Sequence, residues 1–112
     1  NFLSLGTATL AIETIKLTNE LDVNMRKLYE IAKLGSGNSK ALKSVTDKFL
    51  KGNYKGYVFS VDNTLKDLIN INKIINNNSN AKKISLLLKS FYQNASDKGQ
   101  GNLLINKLIK KN

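Results

Sequence analysis

Apolar positions recur every three or four residues through the first third of the chain. Between residues 7 and 34, seven positions carry this repeat: Leu10, Thr14, Leu17, Leu21, Met25, Leu28 and Ile31. Charged residues, among them Glu13, Lys16 and Glu20, fall elsewhere on the helical wheel. The spacing predicts one long amphipathic helix over residues 7–34. Glycine is common just past the end of a helix, so Gly35 is predicted to end this one.

Further helical segments follow, separated by breaks rich in glycine and asparagine. Ser39 is predicted to cap a helix over residues 40–51. A third helix starts after Asp62 or Asn63 and runs to about residue 75. A fourth starts after Ser79 or Asn80 and carries an apolar stripe made of Ile84, Leu87, Leu88 and Phe91. A break at residues 97–101 precedes a last short helix with Leu103, Leu104, Leu108 and Ile109.

Residues 53–60 interrupt this series with aromatic, β-branched and glycine residues. Such a composition is typical of a loop or a short extended segment. A length of 112 residues is enough for one hydrophobic core, which indicates a single domain over residues 1–112. The predicted fold is all-α, a compact bundle of four to five helices with one irregular aromatic and basic loop.

The net positive charge is confined to the later two-thirds of the chain. The formal net charge is +10. Residues 1–34 contain four basic and four acidic residues, whereas residues 35–112 contain fourteen basic and four acidic residues. Such an excess favours a polyanionic partner: RNA, DNA, an anionic membrane surface or an acidic protein. An AT-rich coding sequence would also enrich lysine and asparagine, but it need not leave the first third neutral.

Several kinds of chemistry are excluded because the chain lacks cysteine and histidine. Disulfides, thiol nucleophiles and histidine bases are absent for this reason. The acids of the basic region are widely spaced, so we expect no metal site and no cofactor. Residues 35–37, Gly-Ser-Gly, lack the lysine and hydroxyl of a phosphate-binding loop. No stretch approaches the roughly 18 consecutive apolar residues of a membrane span, so we expect no stable membrane insertion.

Lysines, aromatic residues and glycines alternate over residues 48–57, Lys-Phe-Leu-Lys-Gly-Asn-Tyr-Lys-Gly-Tyr. Lysines contact phosphates, tyrosine rings stack on unpaired bases, and glycines let the backbone approach a ligand. This pattern predicts a substrate groove along the segment. The alternative is that Phe49 faces the core while the tyrosines cover the end of the bundle.

RNA cleavage without histidine needs other groups to transfer protons and to stabilise the phosphorane. Lysine, arginine, tyrosine and carboxylate side chains can divide these roles. The candidate catalytic residues are Lys51, Tyr54, Lys55, Tyr57, Asp62 and Arg26. The lysines expected to contact nucleic acid are Lys48, Lys82, Lys83 and Lys89. An enzyme of this kind is a metal-independent ribonuclease, although the residues leave open whether the chain is an enzyme.

Two of these assignments have simpler alternatives. Arg26 can bind phosphate through two parallel hydrogen bonds, or it can form a salt bridge with Asp22 or Glu30. Lysine clusters on helices are commonly a solvated face, and this applies to Lys82, Lys83 and Lys89 and to a further cluster of Lys107, Lys110 and Lys111.

The first four residues, Asn1-Phe2-Leu3-Ser4, resemble the start of a variable toxin region. In CdiA-type contact-dependent growth inhibition effectors of Gram-negative bacteria, the C-terminal region begins at a Val-Glu-Asn-Asn motif. An aromatic residue, leucine and serine often follow it. Asn1 resembles the last asparagine of that motif, and the lack of an initial methionine is expected for a chain cut there. The resemblance carries over no catalytic residue.

The resemblance implies a polymorphic toxin that is secreted or delivered from the cell surface and acts in the cytoplasm of a target bacterium. Such toxins are most often nucleases, frequently tRNases, and each is neutralised by a cognate immunity protein. The +10 charge agrees with an RNA substrate and with an acidic immunity protein. The neutral residues 1–34 are too short for the entry domain that such regions commonly contain.

Three other functions remain open from the sequence. A non-catalytic module would bind nucleic acid or an acidic protein through the same basic surface and leave RNA intact. A helical adapter whose charge reflects codon bias would bind polyanions weakly and without sequence preference. A pore-forming toxin is disfavoured by the polar residues on every predicted helix.

Overall fold

Five α-helices make up most of the chain. The computed structural model describes residues 1–110. Its helices are α1 (Phe2–Glu20), α2 (Met25–Ala32), α3 (Lys40–Phe49), α4 (Val61–Ile74) and α5 (Asn80–Ala95). A π-helical turn, Ser96–Gln100, and a 3-10 helix, Ile105–Ile109, follow. Within residues 1–110 the only β pairing is an isolated antiparallel bridge between Ser60 and Leu104. The predicted all-α bundle is confirmed.

Serine side chains cap three of the helices. The hydroxyls of Ser39, Ser60 and Ser79 accept hydrogen bonds from backbone N–H groups in the first turns of α3, α4 and α5, at 2.9, 3.1 and 3.2 Å. The sequence predicts the Ser39 cap and offers Ser79 as one of two caps for α5, and the structure confirms both. For α4, both predicted caps, Asp62 and Asn63, are wrong. Ser60 has the extended backbone that an N-cap needs, so the helix begins two residues before Asn63.

The predicted single helix over residues 7–34 is also wrong, because the chain turns between α1 and α2. Asp22 adopts a left-handed backbone conformation with a φ of 54°, which aspartate and asparagine tolerate better than most residues. Asn24 then caps α2, since its side chain accepts a hydrogen bond from the Lys27 N–H at 3.1 Å. A local turn and a new cap therefore interrupt a continuous apolar repeat.

The core forms where α1 lies against α3 and the 3-10 helix, beside the pair formed by α4 and α5. The α1 residues that enter it are Leu5, Ala8, Ile12 and Ile15. They share a buried cluster with residues from each neighbouring element, including Val45, Leu68, Tyr92 and Ile105. No helix of residues 1–110 is long and apolar enough to span a bilayer.

The opposite face of α1 is apolar and exposed. Leu3, Leu10 and Leu17 are 80%, 69% and 52% accessible to solvent, and Leu21, just after the helix, is 64% accessible. Leu10, Leu17 and Leu21 belong to the apolar repeat that predicts the helix over residues 7–34. The residues that enter the core come from a second apolar face, so α1 is apolar on two sides.

Backbone hydrogen bonds join the start of α4 to residues 101–110, which include the 3-10 helix and which we call the C-terminal segment. The Val61 N–H donates to the Leu103 carbonyl, and the Ile105 N–H donates to the Phe59 carbonyl, both at 2.8 Å. Ile105 and Ile109 are both buried in the core. The segment thus completes the core and lines one side of the cleft described next.

Candidate nucleic-acid interface

The aromatic residues of the 48–57 segment pack against the bundle. The Phe49 and Tyr54 rings meet edge to face at 5.9 Å, and all three aromatic residues of the segment are half-buried against the core. The Tyr57 hydroxyl hydrogen-bonds to the Ser4 hydroxyl of α1 at 2.7 Å. The lysines, Lys48, Lys51 and Lys55, are exposed. This arrangement agrees with the alternative in which the aromatic residues cover the end of the bundle.

Two of the six catalytic candidates lie together. Arg26 and Lys51 line a pocket of about 250 Å³ with Tyr29 and Asp47. The Arg26 guanidinium donates to the Leu50 carbonyl at 3.1 Å, a contact that replaces the expected alternative of a salt bridge. The Tyr29 hydroxyl donates to the Asp47 carboxylate at 2.6 Å. Burial, followed by the hydrogen bond and charge of Asp47, raises the pKa of Tyr29 to about 12, so this hydroxyl stays protonated at neutral pH.

Asp62 lies away from that pocket and holds the π-helical turn against α4. Its carboxylate accepts a hydrogen bond from the Ser96 hydroxyl at 2.7 Å, and its N–H donates to the Gly101 carbonyl at 3.0 Å. Both contacts are within the fold. The structure therefore gives Asp62 a positioning role and does not bring it together with Arg26 and Lys51.

The α5 lysines that are predicted to contact nucleic acid differ in the exposure of their side chains. The Lys82 ammonium donates to the Asn72 carbonyl near the C-terminus of α4, so it is used within the fold. Lys83 is exposed and Lys89 is half-buried. These side chains do not line the larger clefts of the molecule.

A cleft of about 460 Å³ lies between α1, α5 and the C-terminal segment, and we call it the main cleft. Three lysines line it: Lys16, Lys98 and Lys110. Glu13 is the one carboxylate of the described residues that lines it, and its oxygen lies 3.5 Å from the Lys16 ammonium. Both side chains of this pair are about two-fifths exposed, so the carboxylate is accessible to a molecule in the cleft.

A hydrogen-bonded pair forms the wall of this cleft. The Thr9 hydroxyl donates to the Leu5 carbonyl at 2.7 Å, so it accepts from the Tyr92 hydroxyl at 2.5 Å. Burial raises the pKa of Tyr92 to about 12; the hydrogen bond shared with Thr9 opposes this increase, and the charges of Glu13 and Tyr57 add to it by smaller amounts. Tyr92 stays protonated at neutral pH and acts here as a fixed donor.

The cleft continues into a second hollow of about 360 Å³, which shares Lys16, Ile109 and Lys110 with it. Tyr54 lines the second hollow, and the Lys107 ammonium lies 5.1 Å from the centre of the Tyr54 ring. We call the two hollows together the basic groove. Tyr54 is thus the one catalytic candidate that reaches it.

Sequence reasoning missed most of the basic groove. Lys107 and Lys110 belong to a cluster that was interpreted as a solvated face, and Lys111 lies outside the described residues. Glu13, Tyr92 and Lys98 carry no local motif. They come together only because the fold places α1, α5 and the C-terminal segment around one cleft.

The buried Tyr92 predicts a loss of stability at high pH. Folding raises its pKa from 10.0 to about 12, so the folded chain binds this proton more tightly than the unfolded chain. The protonated Tyr92 therefore contributes roughly 2 to 3 kcal/mol to the free energy of unfolding. This contribution is complete below pH 10 and is lost as the pH rises to about 12. The measurement is urea unfolding of the wild type and Tyr92→Phe from pH 8 to 12. The difference between their free energies of unfolding should change across this pH range, and a constant difference contradicts the prediction.

Among residues 1–110, no three acidic residues converge as a metal site would require.

The chain matches no protein-family model, no curated protein and no solved structure.

Proposed function

We propose that the chain is the toxin domain of a contact-dependent growth inhibition effector and that it cleaves RNA in the basic groove. The observation that carries this proposal is the position of one accessible carboxylate, Glu13, among the three lysines of the main cleft. Lysines supply the phosphate contacts of a polyanion site, and a carboxylate there can accept a proton from a sugar hydroxyl.

The groove suits a single strand of RNA. Its two hollows meet at Lys16 and Lys110, so a strand that follows the groove passes cationic groups along its length. At one end the half-buried Tyr54 ring, with Lys107 beside it, offers a surface for base stacking. At the other end Phe91 lines the cleft and is 37% exposed.

The proposed reaction is attack by a ribose 2′-hydroxyl on the adjacent phosphorus. Glu13 takes the hydroxyl proton as the 2′-oxygen–phosphorus bond forms, and the phosphorus–5′-oxygen bond breaks. Lysine ammonium groups stabilise the charge on the phosphorane, and one of them donates a proton to the departing 5′-oxygen. The products are a 2′,3′-cyclic phosphate and a 5′-hydroxyl. Glu13 gains the proton of the 2′-hydroxyl and a lysine ammonium loses one to the 5′-oxygen, so the proton transfers balance.

Delivery and partners follow from the resemblance at residues 1–4. The toxin is released from the surface of one bacterium, acts on tRNA or another RNA in the cytoplasm of a neighbour, and is neutralised by an acidic immunity protein. The +10 charge supports both the RNA substrate and the acidic partner.

The test is induced expression in a bacterium, with total RNA examined on a denaturing gel over an hour. We expect growth arrest and discrete new RNA fragments. The variant Lys98→Glu/Lys110→Glu reverses two charges in the cleft and should abolish both effects. Lys73→Glu/Lys83→Glu makes the same change in net charge at exposed positions outside the groove and should remain toxic. Normal growth with intact RNA, or equal effects of the two double variants, would overturn the proposal.

A second function is favoured by the dispersion of the predicted catalytic residues. Arg26 and Lys51 share one pocket, Tyr54 lies in the basic groove, and Asp62 is used to hold the π-helical turn. A non-catalytic module needs only the lysines of the groove. It would bind RNA in a salt-dependent manner and leave it intact, and Lys98→Glu/Lys110→Glu would weaken that binding by about tenfold or more at low salt.

A further inference from the structure

The pocket between α2 and α3 carries charges of both signs and shares no lining residue with the basic groove. Its volume is about 250 Å³, and we call it the α2–α3 pocket. Positive charge comes from Arg26, Lys33 and Lys51, and negative charge comes from Glu30 and Asp47. The proposed cleavage reaction uses none of these side chains. A ligand that matches the pocket has both an anionic group and hydrogen-bond donors.

Two hydrogen bonds between the helices fix the walls of the α2–α3 pocket. The hydroxyl of the buried Tyr29, on α2, donates to the Asp47 Oδ1 atom of α3 at 2.6 Å. The Arg26 guanidinium donates to the carbonyl of Leu50, the residue after α3, at 3.1 Å. Since the pKa of Tyr29 is raised to about 12, its hydroxyl remains a donor at neutral pH. The charged groups are therefore oriented before a ligand binds, which lowers the entropy cost of binding.

The cations of the pocket have no carboxylate partner within residues 1–110, where the one salt bridge joins Glu13 and Lys16. Arg26 uses one guanidinium N–H group on Leu50, and an arginine side chain has five. A planar guanidinium can bind two oxygens of one phosphoryl group. Lys51 follows Leu50 directly and lines the same pocket, so a phosphoryl group bound there has two cations available.

The Asp47 carboxylate favours a different part of a ligand. Tyr29 donates to Oδ1, and no donor of residues 1–110 hydrogen-bonds to Oδ2. A carboxylate accepts hydrogen bonds, so it favours a base edge made of N–H donors. Guanine presents two adjacent N–H groups on its Watson–Crick edge. Uracil presents a single N–H between two carbonyl oxygens, and these repel a carboxylate.

We propose that the α2–α3 pocket binds a guanine nucleotide, with its phosphoryl group on Arg26 and Lys51 and its base on the Asp47 carboxylate. A volume of about 250 Å³ suits one nucleotide, since the pockets of larger ligands begin at roughly 300 Å³. Glu30 is a second acceptor for the base. The Lys33 ammonium lies 5.5 Å from the centre of the Tyr29 ring and adds to the positive charge.

The nucleotide has two sources, free guanosine 5′-monophosphate or a guanosine within RNA, because the pocket lies next to the basic groove. Phe49 lines the second hollow of the groove and Leu50 lines the pocket, and these are consecutive residues at the end of α3. A strand that passes Tyr54 in the groove therefore leaves it beside the pocket. Recognition of guanine does not depend on cleavage in the groove.

The test is calorimetric titration of the full chain with guanosine 5′-monophosphate, uridine 5′-monophosphate and inorganic phosphate at low salt. We expect the guanine nucleotide to bind about tenfold or more tightly than the uracil nucleotide, the usual discrimination by a paired base edge. Inorganic phosphate should bind more weakly than the guanine nucleotide because it has no base. Equal binding of the two nucleotides, equally tight binding of inorganic phosphate, or no nucleotide binding overturns the proposal.

The contact with the base is tested by Asp47→Asn, with circular dichroism as the check of folding. The amide oxygen can still accept from Tyr29, but an NH₂ group then faces the base in place of Oδ2, so the preference for guanine should be lost. Asp22→Asn makes the same change of charge at an exposed position outside the pocket, and asparagine tolerates the positive φ found there. This control should keep the preference, and an equal loss in both variants contradicts the role of Asp47.

The phosphoryl contact is tested by Lys51→Ala, which should weaken both nucleotides by a similar factor of about threefold. Lys55→Ala removes an exposed lysine outside the pocket and should bind both as the wild type does; an equal effect of the two variants counts against the site. Lys98→Glu/Lys110→Glu should keep the preference for guanine, so a failure of cleavage in the groove is distinguishable from a failure of this proposal.

The source of the nucleotide is identified with a uridine hexanucleotide that contains one guanosine. Tighter binding of this strand than of guanosine 5′-monophosphate supports the pocket as part of the RNA site, because the lysines of the groove then add to the affinity. Equal or weaker binding supports the pocket as a site for the free nucleotide. A strand of uridine alone that binds as tightly as the guanosine-containing strand overturns recognition of guanine in RNA.

Discussion

Replacement of Glu13 by glutamine is expected to slow RNA cleavage by roughly 10²- to 10⁴-fold, the usual contribution of a general base. The amide keeps the size of the side chain and cannot accept the 2′-hydroxyl proton. Affinity for RNA should not fall, because the change removes a negative charge from a cleft lined by three lysines. Single-turnover cleavage and equilibrium binding of the same labelled RNA measure the two quantities separately.

The matched control is Glu20→Gln. Glu20 lines the adjoining hollow and lies two helical turns from Glu13 on the same flank of α1. Glu20→Gln makes the same change of charge within the basic groove but outside the main cleft, so the variant should cleave RNA at the wild-type rate. A Glu13→Gln protein that cleaves RNA at the wild-type rate would remove the proposed base. If Glu13→Gln lowered both the affinity for RNA and the cleavage rate, Glu13 would be a binding residue and not the base.

The largest effect on stability is expected for Gly56→Ala. A Cβ atom at this position would lie 1.9 Å from the carbonyl oxygen of Ser44 and 3.2 Å from the Asn106 amide nitrogen. The first of these is a backbone atom of α3, so relief requires a shift of the loop or the helix. Such overpacking should cost about 3 kcal/mol or more. Urea unfolding should show a lower midpoint with an unchanged slope, and the melting temperature should fall by roughly 10 °C or more.

Gly37→Ala is the control for this substitution. A Cβ atom on Gly37 meets nothing within 4 Å, and the residue does not have a positive φ. Its free energy of unfolding should change by less than about 0.5 kcal/mol. If Gly56→Ala were equally mild, the close approach of the loop to α3 in the described fold would be wrong.

Much of the fold could be predicted because its signals are local. Ser39 and Ser79 precede helical segments, and a serine hydroxyl caps a helix through contacts within three residues. The break between α1 and α2 gave no such signal: Asp22 and Asn24 lie inside an apolar repeat that continues beyond them. The apolar repeat also failed to identify the buried face, because α1 has two apolar faces and periodicity does not rank them.

The site was less predictable because it depends on contacts between distant parts of the chain. The 48–57 segment has the composition of a nucleic-acid contact, yet Phe49 and Tyr57 are held half-buried by packing. Glu13 and Lys98 lie on α1 and in the π-helical turn, more than eighty residues apart in sequence. Only the fold, which places α1, α5 and the C-terminal segment around one cleft, brings them together, and no spacing within the sequence encodes that juxtaposition.

The backbone link between the C-terminal segment and the start of α4 has a consequence during synthesis. Ile105 and Ile109, which close the core against α1, are made about ninety residues after that helix. Lys110, at the junction of the two hollows, follows them directly. On the ribosome, α1 can pack against α3 early, but the part of its core face that meets the 3-10 helix stays uncovered until residue 109 has emerged. The basic groove and the completed core therefore arise together, once these residues have packed.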